Sequence, residues 1–371
     1  MDFRHIPAID QHAHNLLTPE AAKTLPYTAA FTESDDPVIL QKHASTSLFF
    51  LRSLRDIAEL LGCDPSQEAI MERRRDIGFE QLASLCFKAA NLTAAYLDDG
   101  FLPDRILSWD RHQQFVRVRR ILRLEYLAET LIGPSKSFDD FIEQFQSELD
   151  PPPTEVVAFK SIAAYRSGLD ISPPSLEEAR SSFRALKDQT PEDRLRLSDK
   201  PLIDYLVLAG LKAAAKWQMP MQFHTGFGDP DLDLRLANPL HLRSILEEPT
   251  LRETPIVLLH AGYPFVREAA YLAAIYPMVY VDFGLTVPFL SVTGMESVLR
   301  QLLEIVPASK LMFSSDAHML PELFYLGSKW GREVLRNVLQ EAVRSSDLTF
   351  REAESLGERI LLGNAKGLYE H

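Results

Sequence analysis

The chain has 371 residues, 46% of them hydrophobic and 25% charged, which is the composition of a folded globular protein and excludes a disordered one. Its formal net charge of −13 argues against nucleic acid or an anionic membrane surface as a partner, because phosphate binding relies on clustered Lys and Arg. With no signal core at the N-terminus and no apolar run of membrane-spanning length, the sequence predicts a cytoplasmic protein.

The first predicted strand carries two histidines at its end, in the sequence Ile9-Asp10-Gln11-His12-Ala13-His14-Asn15. Alternate residues of a strand share a face, so the two imidazoles are placed to chelate one divalent metal ion. After this strand the pattern turns helical, from Pro37 to Gly62 and from Ser66 to Ala90. A stretch of this length is too long for an ordinary connection between a strand and a helix. It predicts a helical insertion or lid at about residues 18–90.

From residue 91 onward, predicted strands and amphipathic helices alternate. The strands after the first are predicted at Thr93–Asp98, Ile121–Tyr126, Val156–Ile162, Met221–His224, Ile256–His260, Val279–Phe283 and Leu311–Ser315. The helices between and after them are predicted at Phe138–Leu149, Leu176–Leu186, Leu202–Gln218, Phe265–Ile275, Met295–Val306, Glu322–Ser345 and Arg351–Tyr369. The third strand is ambiguous, because its Arg-rich segment, Phe115–Leu127, equally fits a continuous helix.

Eight strands alternating with helices predict an α/β fold of the (β/α)₈ barrel type, formed by a single domain over residues 1–371 with C-terminal helices outside the barrel. An open, doubly wound sheet is the alternative. The sequence contains neither an early Gly-x-Gly-x-x-Gly nor a Walker-type phosphate loop, which disfavours that alternative.

Three more residues of metal-ligand type end predicted strands. His224, His260 and Asp316 each follow an apolar run and precede a small residue where the backbone turns. In a barrel the carboxyl ends of the strands meet at one mouth, so residues remote in sequence can bind one ion. Burying such groups without a partner costs several kcal/mol, and a shared metal ion supplies that partner.

The chain resembles the amidohydrolase superfamily and, within it, amidohydrolase family 2. The motifs that carry the resemblance are Asp10-Gln11-His12-Ala13-His14, Phe223-His224-Thr225-Gly226, Leu259-His260-Ala261-Gly262-Tyr263-Pro264, Ser315-Asp316-Ala317-His318 and Gly363-Asn364-Ala365-Lys366-Gly367-Leu368-Tyr369. The segment Val157–Leu169 and the helical insertion look closer still to the amidohydrolase-like domain of FluG or nodulin-type proteins, which is fused there to a glutamine-synthetase-like domain.

The resemblance implies that His12, His14, His224 and Asp316 are metal ligands, and that Asp316 also serves as a general base. It implies that His260 orients water or substrate, or binds a second ion. We expect one divalent ion, zinc, with manganese or a second metal as alternatives. Lys160 is then a carboxylated residue that bridges two metals, a contact to substrate, or a residue that pairs with a nearby acid.

Four further residues near predicted strand ends are candidate substrate contacts. His318 reaches the pocket or caps its own turn, and the sequence does not decide between these roles. For the others, ion pairing at the barrel mouth is the alternative to substrate binding. These other candidates are Arg166, Asp98 and Glu125.

The expected activity is hydrolysis of an amide, of γ-glutamyl type by analogy, or of a related C–N or C–O bond, by water that the divalent ion activates. The alternatives are nonhydrolytic decarboxylation of a small unsaturated or aromatic acid, a uronate-isomerase-like reaction, and a noncatalytic binding domain. We expect a small-molecule substrate and neither a nucleic-acid nor a membrane partner. A homo-oligomer is compatible with the sequence but is not indicated by it.

Overall fold

Eight parallel strands form one sheet whose order follows the chain in the computed structural model, which describes residues 1–188 and 195–370. The strands are β1 (Ala8–His14), β2 (Leu92–Asp98), β3 (Arg117–Arg123), β4 (Val156–Ser161), β5 (Met221–Phe223), β6 (Ile256–Leu258), β7 (Val279–Asp282) and β8 (Leu311–Met312). The chain after β8 returns to β1, because Gln11 N donates to Phe313 O at 3.4 Å and Asp316 N donates to His12 O at 3.0 Å. The predicted (β/α)₈ barrel is confirmed.

Helices separate the strands. They are α1 (Pro19–Ala22), α2 (Leu48–Leu61), α3 (Gln67–Ile77), α4 (Phe79–Ala90), α5 (Leu124–Ile132), α6 (Phe138–Leu149), α7 (Leu176–Lys187), α8 (Lys200–Trp217), α9 (Arg243–Leu246), α10 (Val266–Ile275), α11 (Thr286–Phe289), α12 (Val292–Leu303), α13 (Pro321–Arg344), α14 (Phe350–Glu358) and α15 (Asn364–Tyr369). Among the described residues, no helix is both long and apolar enough to cross a membrane. The chain divides into two compact units, one of residues 1–119 and 282–370 and the other of residues 120–281.

The first unit contains the helical insertion that follows β1. Its helices begin at hydroxyl caps: Ser47 Oγ accepts from Phe50 N before α2, and Ser66 Oγ accepts from Ala69 N before α3. Helix α2 ends at Gly62, whose φ of 68° is the left-handed conformation that glycine adopts without steric cost. The described residues between β1 and β2 contain no strand, in agreement with the helical pattern of the sequence.

An aromatic cluster joins the insertion to the end of the same unit. The ring of Phe49, in α2, lies 5.3 Å from that of Phe31, 5.0 Å from that of Phe289 and 6.0 Å from that of Trp330 in α13. Such buried ring pairs contribute roughly 0.5–1.5 kcal/mol each beyond the area they bury. The insertion therefore has an apolar core continuous with α13 and is more than a loosely attached lid.

A buried ion pair reinforces this attachment. The Arg74 guanidinium in α3 bonds Glu322, which lies at the start of α13, and the Glu322 side chain is fully inaccessible to solvent. Arg74 also lies over the ring of Tyr27, at 5.2 Å from its centroid. A buried carboxylate of this kind depends on its cation, because desolvation makes an isolated charge costly.

The third strand and the helix after it differ from the sequence-based prediction. The strand predicted at Ile121–Tyr126 lies at Arg117–Arg123, and α5 begins at Leu124, so a continuous helix over Phe115–Leu127 is also wrong. The strand is hard to recognise in the sequence because arginines interrupt its apolar pattern. In the fold these arginines form ion pairs with acidic side chains. Arg120, for example, bonds Glu155 at 3.0 Å.

The second unit contains β4, β5 and β6 in regular parallel register, with Lys160 opposite Gln222 and Gln222 opposite Val257. Strand residues here are buried on both faces, as in parallel sheets covered by helices. Helix α8 packs against this sheet, and Gly210 within it allows the close approach of Leu124, since a Cβ at Gly210 would lie 2.3 Å from a Leu124 methyl carbon.

A neutral histidine holds the loop after β1 in the first unit. Leu16 N donates to His112 Nε2 at 3.0 Å, and His112 Nδ1 donates to Ser108 O at 3.1 Å. Burial lowers the pKa of His112 to about 4, because the charged imidazolium would lose its hydration. The ring is therefore neutral at pH 7, with Nε2 as the acceptor.

Removal of the buried cation tests the ion pair at α13. Arg74→Met leaves Glu322 buried without its partner, and we expect it to lower the free energy of unfolding by about 3 to 5 kcal/mol, measured by urea denaturation. The double variant Arg74→Met/Glu322→Met should recover most of the loss. Arg184→Met breaks the exposed pair with Glu177 and should cost less than about 1 kcal/mol. Equal losses in Arg74→Met and Arg184→Met would contradict this assignment.

His112 gives the folded state a specific dependence on pH. Its pKa is about 4 in the folded chain and 6.5 in the reference state, so the unfolded chain binds the proton first as the pH falls. We expect the resulting stability, on the order of 3 kcal/mol, to be present above pH 6.5 and lost between pH 6.5 and about 4. His112→Gln should flatten this part of a curve of unfolding free energy against pH, and an unchanged slope would refute the prediction.

Candidate metal centre

The end of β1 places two histidines on one face of a fully buried strand. His12 is inaccessible to solvent and His14 is 7% exposed, and their ring centroids lie 5.2 Å apart. Both residues belong to the first unit, as does Asp316 in the loop after β8.

Asp316 brings a carboxylate to both imidazoles. Its Oδ1 lies 3.2 Å from His12 Nε2 and 3.3 Å from His14 Nε2. Two ligand atoms bound tetrahedrally to one zinc ion, each at 2.0–2.1 Å, are separated by about 3.3 Å. The two separations match that spacing, so the carboxylate and the two imidazoles fit a divalent metal ion with bonds of about that length.

The hydrogen bond behind His14 determines which of its nitrogens faces the site. His14 Nδ1 lies 3.0 Å from Asp98 O and donates its proton to that carbonyl, which leaves a lone pair at Nε2 when the ring is neutral. That lone pair points at an anionic oxygen 3.3 Å away, an arrangement that a cation between the two atoms stabilises. The chemistry of the donor set therefore also fits a divalent metal ion.

Asp98, a candidate substrate contact from the sequence, lies behind His14. It is fully buried, its Oδ1 accepts from Gly100 N at 3.1 Å, and its Oδ2 lies 4.0 Å from His14 Nδ1. Ligand atoms of His12, His14 and Asp98 all lie within 4.8 Å of one another. The residue is thus placed to orient the His14 imidazole.

His318 lies on the same loop as Asp316. Its Nδ1 bonds Asp316 O at 3.1 Å, so it caps its own turn, and burial lowers the pKa of its ring. Phe101, in the loop after β2, lies 5.8 Å from the His318 ring and 5.3 Å from the His14 ring. Phe101 thus forms an apolar wall beside both imidazoles. Nothing in its sequence context indicated this position.

In the second unit, His224 and His260 follow β5 and β6, and their ring centroids lie 4.6 Å apart. Both side chains are buried, and the Tyr165 ring lies 4.4 Å from that of His224. His224 Nε2 bonds Phe227 O at 3.0 Å, which leaves the lone pair of a neutral ring at Nδ1.

Two cations of the second unit lie near the ends of β4. Lys160 is within β4 and 2% exposed, whereas Arg166 follows it and bonds Glu129 at 3.2 Å. Arg166 Nε is buried and has no hydrogen-bond partner among the described residues, and neither does the neighbouring Ser167 Oγ. Two unsatisfied donors on adjacent residues are suited to an anionic ligand.

Glu125, another candidate substrate contact, lies in the first turn of α5. Its Oε1 accepts hydrogen bonds from Ser161 Oγ at 2.6 Å and from Ile162 N at 3.0 Å. Burial raises the pKa of this carboxyl group, although the two hydrogen bonds lower it. These two hydrogen bonds connect the end of β4 to the first turn of α5.

The sequence did not assign a role to Asp10, which the structure places beside the loop of Asp316. Asp10 is fully buried, and its Oδ1 accepts from Ser315 N at 2.8 Å. Burial raises the pKa of Asp10 to about 7, against the lowering effect of its bonds to Ser315. A bound cation nearby would favour the ionised form. The position of Asp10, two residues before His12 in the same motif, was the sequence feature that could have indicated a role at the site.

A barrel with histidines at the ends of β1, β5 and β6 and an aspartate after β8 is the arrangement of a metal-dependent enzyme. Residues 177–370 match the family model described as amidohydrolase. The chain belongs to the amidohydrolase family.

Two relatives resemble the chain over nearly all its length. FluG of Emericella nidulans is 35% identical over 99% of this chain. The chain spans about half of that relative, because the match covers 46% of its length. A protein of Lactobacillus casei ATCC 334, assigned provisionally as a metal-dependent hydrolase, is 27% identical with a TM-score of 0.87, covering 99% of this chain and 97% of that one.

A more distant likeness is to the uronate isomerase of Thermotoga maritima. The two are 14% identical with a TM-score of 0.65, covering 99% of this chain and 95% of that one. At this identity the likeness establishes the fold alone.

Proposed function

We propose that this chain is a metal-dependent hydrolase that cleaves an amide, or a related C–N or C–O bond, of a small acidic substrate. The observation that carries the proposal is the convergence of His12 Nε2 and His14 Nε2 on Asp316 Oδ1, at the spacing of ligands around one zinc ion. His224, oriented by Phe227 O, is the proposed fourth ligand, because the carboxyl ends of barrel strands meet at one face.

The bound divalent ion would lower the pKa of water toward neutrality and stabilise negative charge on a carbonyl oxygen. Proton transfer, orientation of the reactants and exclusion of water are assigned to side chains of the protein. Asp316 accepts the proton from the attacking water and passes it to the leaving amine. His260, buried at the end of β6, donates or accepts a hydrogen bond that orients the water or the substrate. Phe101 excludes water from the imidazole ligands.

The acidic character of the substrate rests on Arg166 and Ser167. Their buried donors lack protein partners, and a guanidinium binds a carboxylate through paired hydrogen bonds. Lys160, two per cent exposed, adds a second cation to the same unit. A γ-glutamyl-type amide carries both an amide and a carboxylate, and we propose it as the substrate class.

A second candidate is isomerisation of a uronic acid. It is favoured by the buried, unsatisfied Nε of Arg166, on which such a substrate would also place a carboxylate. The chain shares its fold with a uronate isomerase over 99% of its length. Decarboxylation and simple binding remain outcomes of the test, since neither has a specific observation in its favour.

Metal content and product analysis test the proposed function together. We expect about one zinc per purified chain by elemental analysis, and His224→Ala should lower that ratio well below one. Release of free amine with a new carboxylate from γ-glutamyl amides would support the hydrolase. Interconversion of a uronate with its keto isomer would instead assign the chain as an isomerase. Release of CO₂ would assign it as a decarboxylase.

The matched control is His43→Ala, which removes an exposed histidine of the insertion and should leave the metal content unchanged. Full zinc occupancy in His224→Ala would remove His224 from the ligand set. A wild-type chain that takes up no divalent ion on titration would contradict the proposal as a whole.

Arg166 provides a separate test of the substrate class. Arg166→Met should lower kcat/KM for acidic amides by about 10- to 100-fold, the effect of losing one or two charge-assisted hydrogen bonds. Its effect on uncharged analogues of the same amides should be small, and Arg184→Met, at an exposed site, should affect neither. Equal losses for charged and uncharged substrates would mean that Arg166 is structural.

A further inference from the structure

Two adjacent serines after β8 are bonded to two different carboxylates. Ser314 and Ser315 are both buried, with exposures of 0% and 1%. Ser314 Oγ donates to Asp282 Oδ2 at 2.6 Å, and Ser315 Oγ donates to Asp10 Oδ2. Ser315 also donates its backbone N–H to Asp10 Oδ1 at 2.8 Å, so that Asp10 holds it at two points.

The Asp10 pair lies next to a strained backbone. Asp316 has a φ of +54°, in the left-handed region that residues with a side chain rarely adopt. Such a conformation persists only where surrounding contacts over-determine it. Here Asp316 N donates to His12 O at 3.0 Å, and His14 N donates to Ala317 O at 2.7 Å.

Ser315 Oγ completes this set of contacts by accepting from Ala317 N at 2.9 Å. The hydroxyl group thus connects Asp10 to the residue that follows Asp316. Gly327 in α13 leaves room for it, because a Cβ there would lie 2.7 Å from Ser315 Cβ. Asp10 precedes His12 by two residues in β1, and its contacts with the backbone N–H and the hydroxyl group of Ser315 connect it to the segment that carries Asp316.

We propose that Asp10 and Ser315 are positioning residues that hold the Asp316 carboxylate at the correct spacing from His12 and His14 for metal binding. The inference rests on the proposed function, because it assigns a role toward the same metal ion. Asp10 acts on the ion through Ser315 and Asp316, and it connects the first-strand ligands to the eighth-strand ligand.

Ser314 supplies a matched control. It is adjacent to Ser315, equally buried and also bonded to a buried carboxylate, but Asp282 belongs to a different network that includes Gln11 Nε2. The Gln11 side chain is bonded within that network, since its Oε1 accepts from the Tyr369 hydroxyl group at 2.6 Å. Removal of the Ser314 hydroxyl should therefore leave the ligands in place.

The test compares Ser315→Ala with Ser314→Ala in the full chain. Zinc affinity is measured by competition with a chromophoric chelator, and we expect a loss of about 10- to 100-fold for Ser315→Ala, the usual effect of removing a group that orients a ligand. For Ser314→Ala we expect affinity close to that of the wild type. The absorption spectrum of the Co²⁺-loaded protein should change in Ser315→Ala alone, because it reports the ligand geometry.

Asp10→Asn is the second variant, and it tests the positioning role if Ser315→Ala does not fold. It keeps an acceptor for Ser315 N but removes the negative charge, so we expect an intermediate loss of zinc affinity. Wild-type zinc affinity and an unchanged Co²⁺ spectrum in the folded Ser315→Ala or Asp10→Asn protein would overturn the inference. Equal losses in Ser314→Ala would also overturn it, as a general effect of core damage. If the wild type binds no zinc, the proposed function itself fails.

Discussion

The contact between two histidine nitrogens and one carboxylate oxygen is the constraint around which the first unit is organised. His12 and His14 are fixed by β1, but Asp316 comes from the other end of the chain and must be brought to within 3.3 Å of both. Hydrogen bonds between β1 and the segment after β8 achieve this, since Asp316 N and Phe313 O are both bonded to β1. The hydrogen bonds that join the segment after β8 to β1 therefore also place Asp316 beside the two histidines.

The helical insertion contributes to the site through packing rather than through polar groups. A small apolar cavity of about 10 Å³ adjoins Asp316 and His318, and its walls include Ala30 and Phe49 of the insertion. Phe49 is held by the aromatic cluster with Phe289 and Trp330. A cavity of this size accommodates at most one water molecule, so the insertion closes one side of the loop after β8 instead of leaving an open channel there.

The sequence predicted elements well where the hydrophobic period was regular. Helix Phe138–Leu149 lies where it was predicted, because its apolar residues recur at helical spacing and Ser137 caps it. The third strand was misplaced because Arg117 and Arg120 are paired with acids that are remote in sequence, Glu370 and Glu155. The candidate histidines stand at the ends of apolar runs, and the structure shows that their side chains are buried. Asp10 and Phe101 could not be assigned, since their roles depend on contacts that only the folded chain makes.

Backbone strain is concentrated after the last strands. Among the described residues, nine non-glycine positions have a positive φ, and five of them lie in the loops directly after β6, β7 and β8: His260, Ala261, Leu285, Asp316 and Met319. Each such residue costs on the order of 1–3 kcal/mol relative to an ordinary conformation, so surrounding contacts must stabilise it. A residue in the left-handed conformation turns the chain sharply, so that its own side chain points back toward the carboxyl end of the strand. His260 and Asp316 are the candidate site residues among them, and strained conformations of this kind occur where the backbone directs a functional side chain.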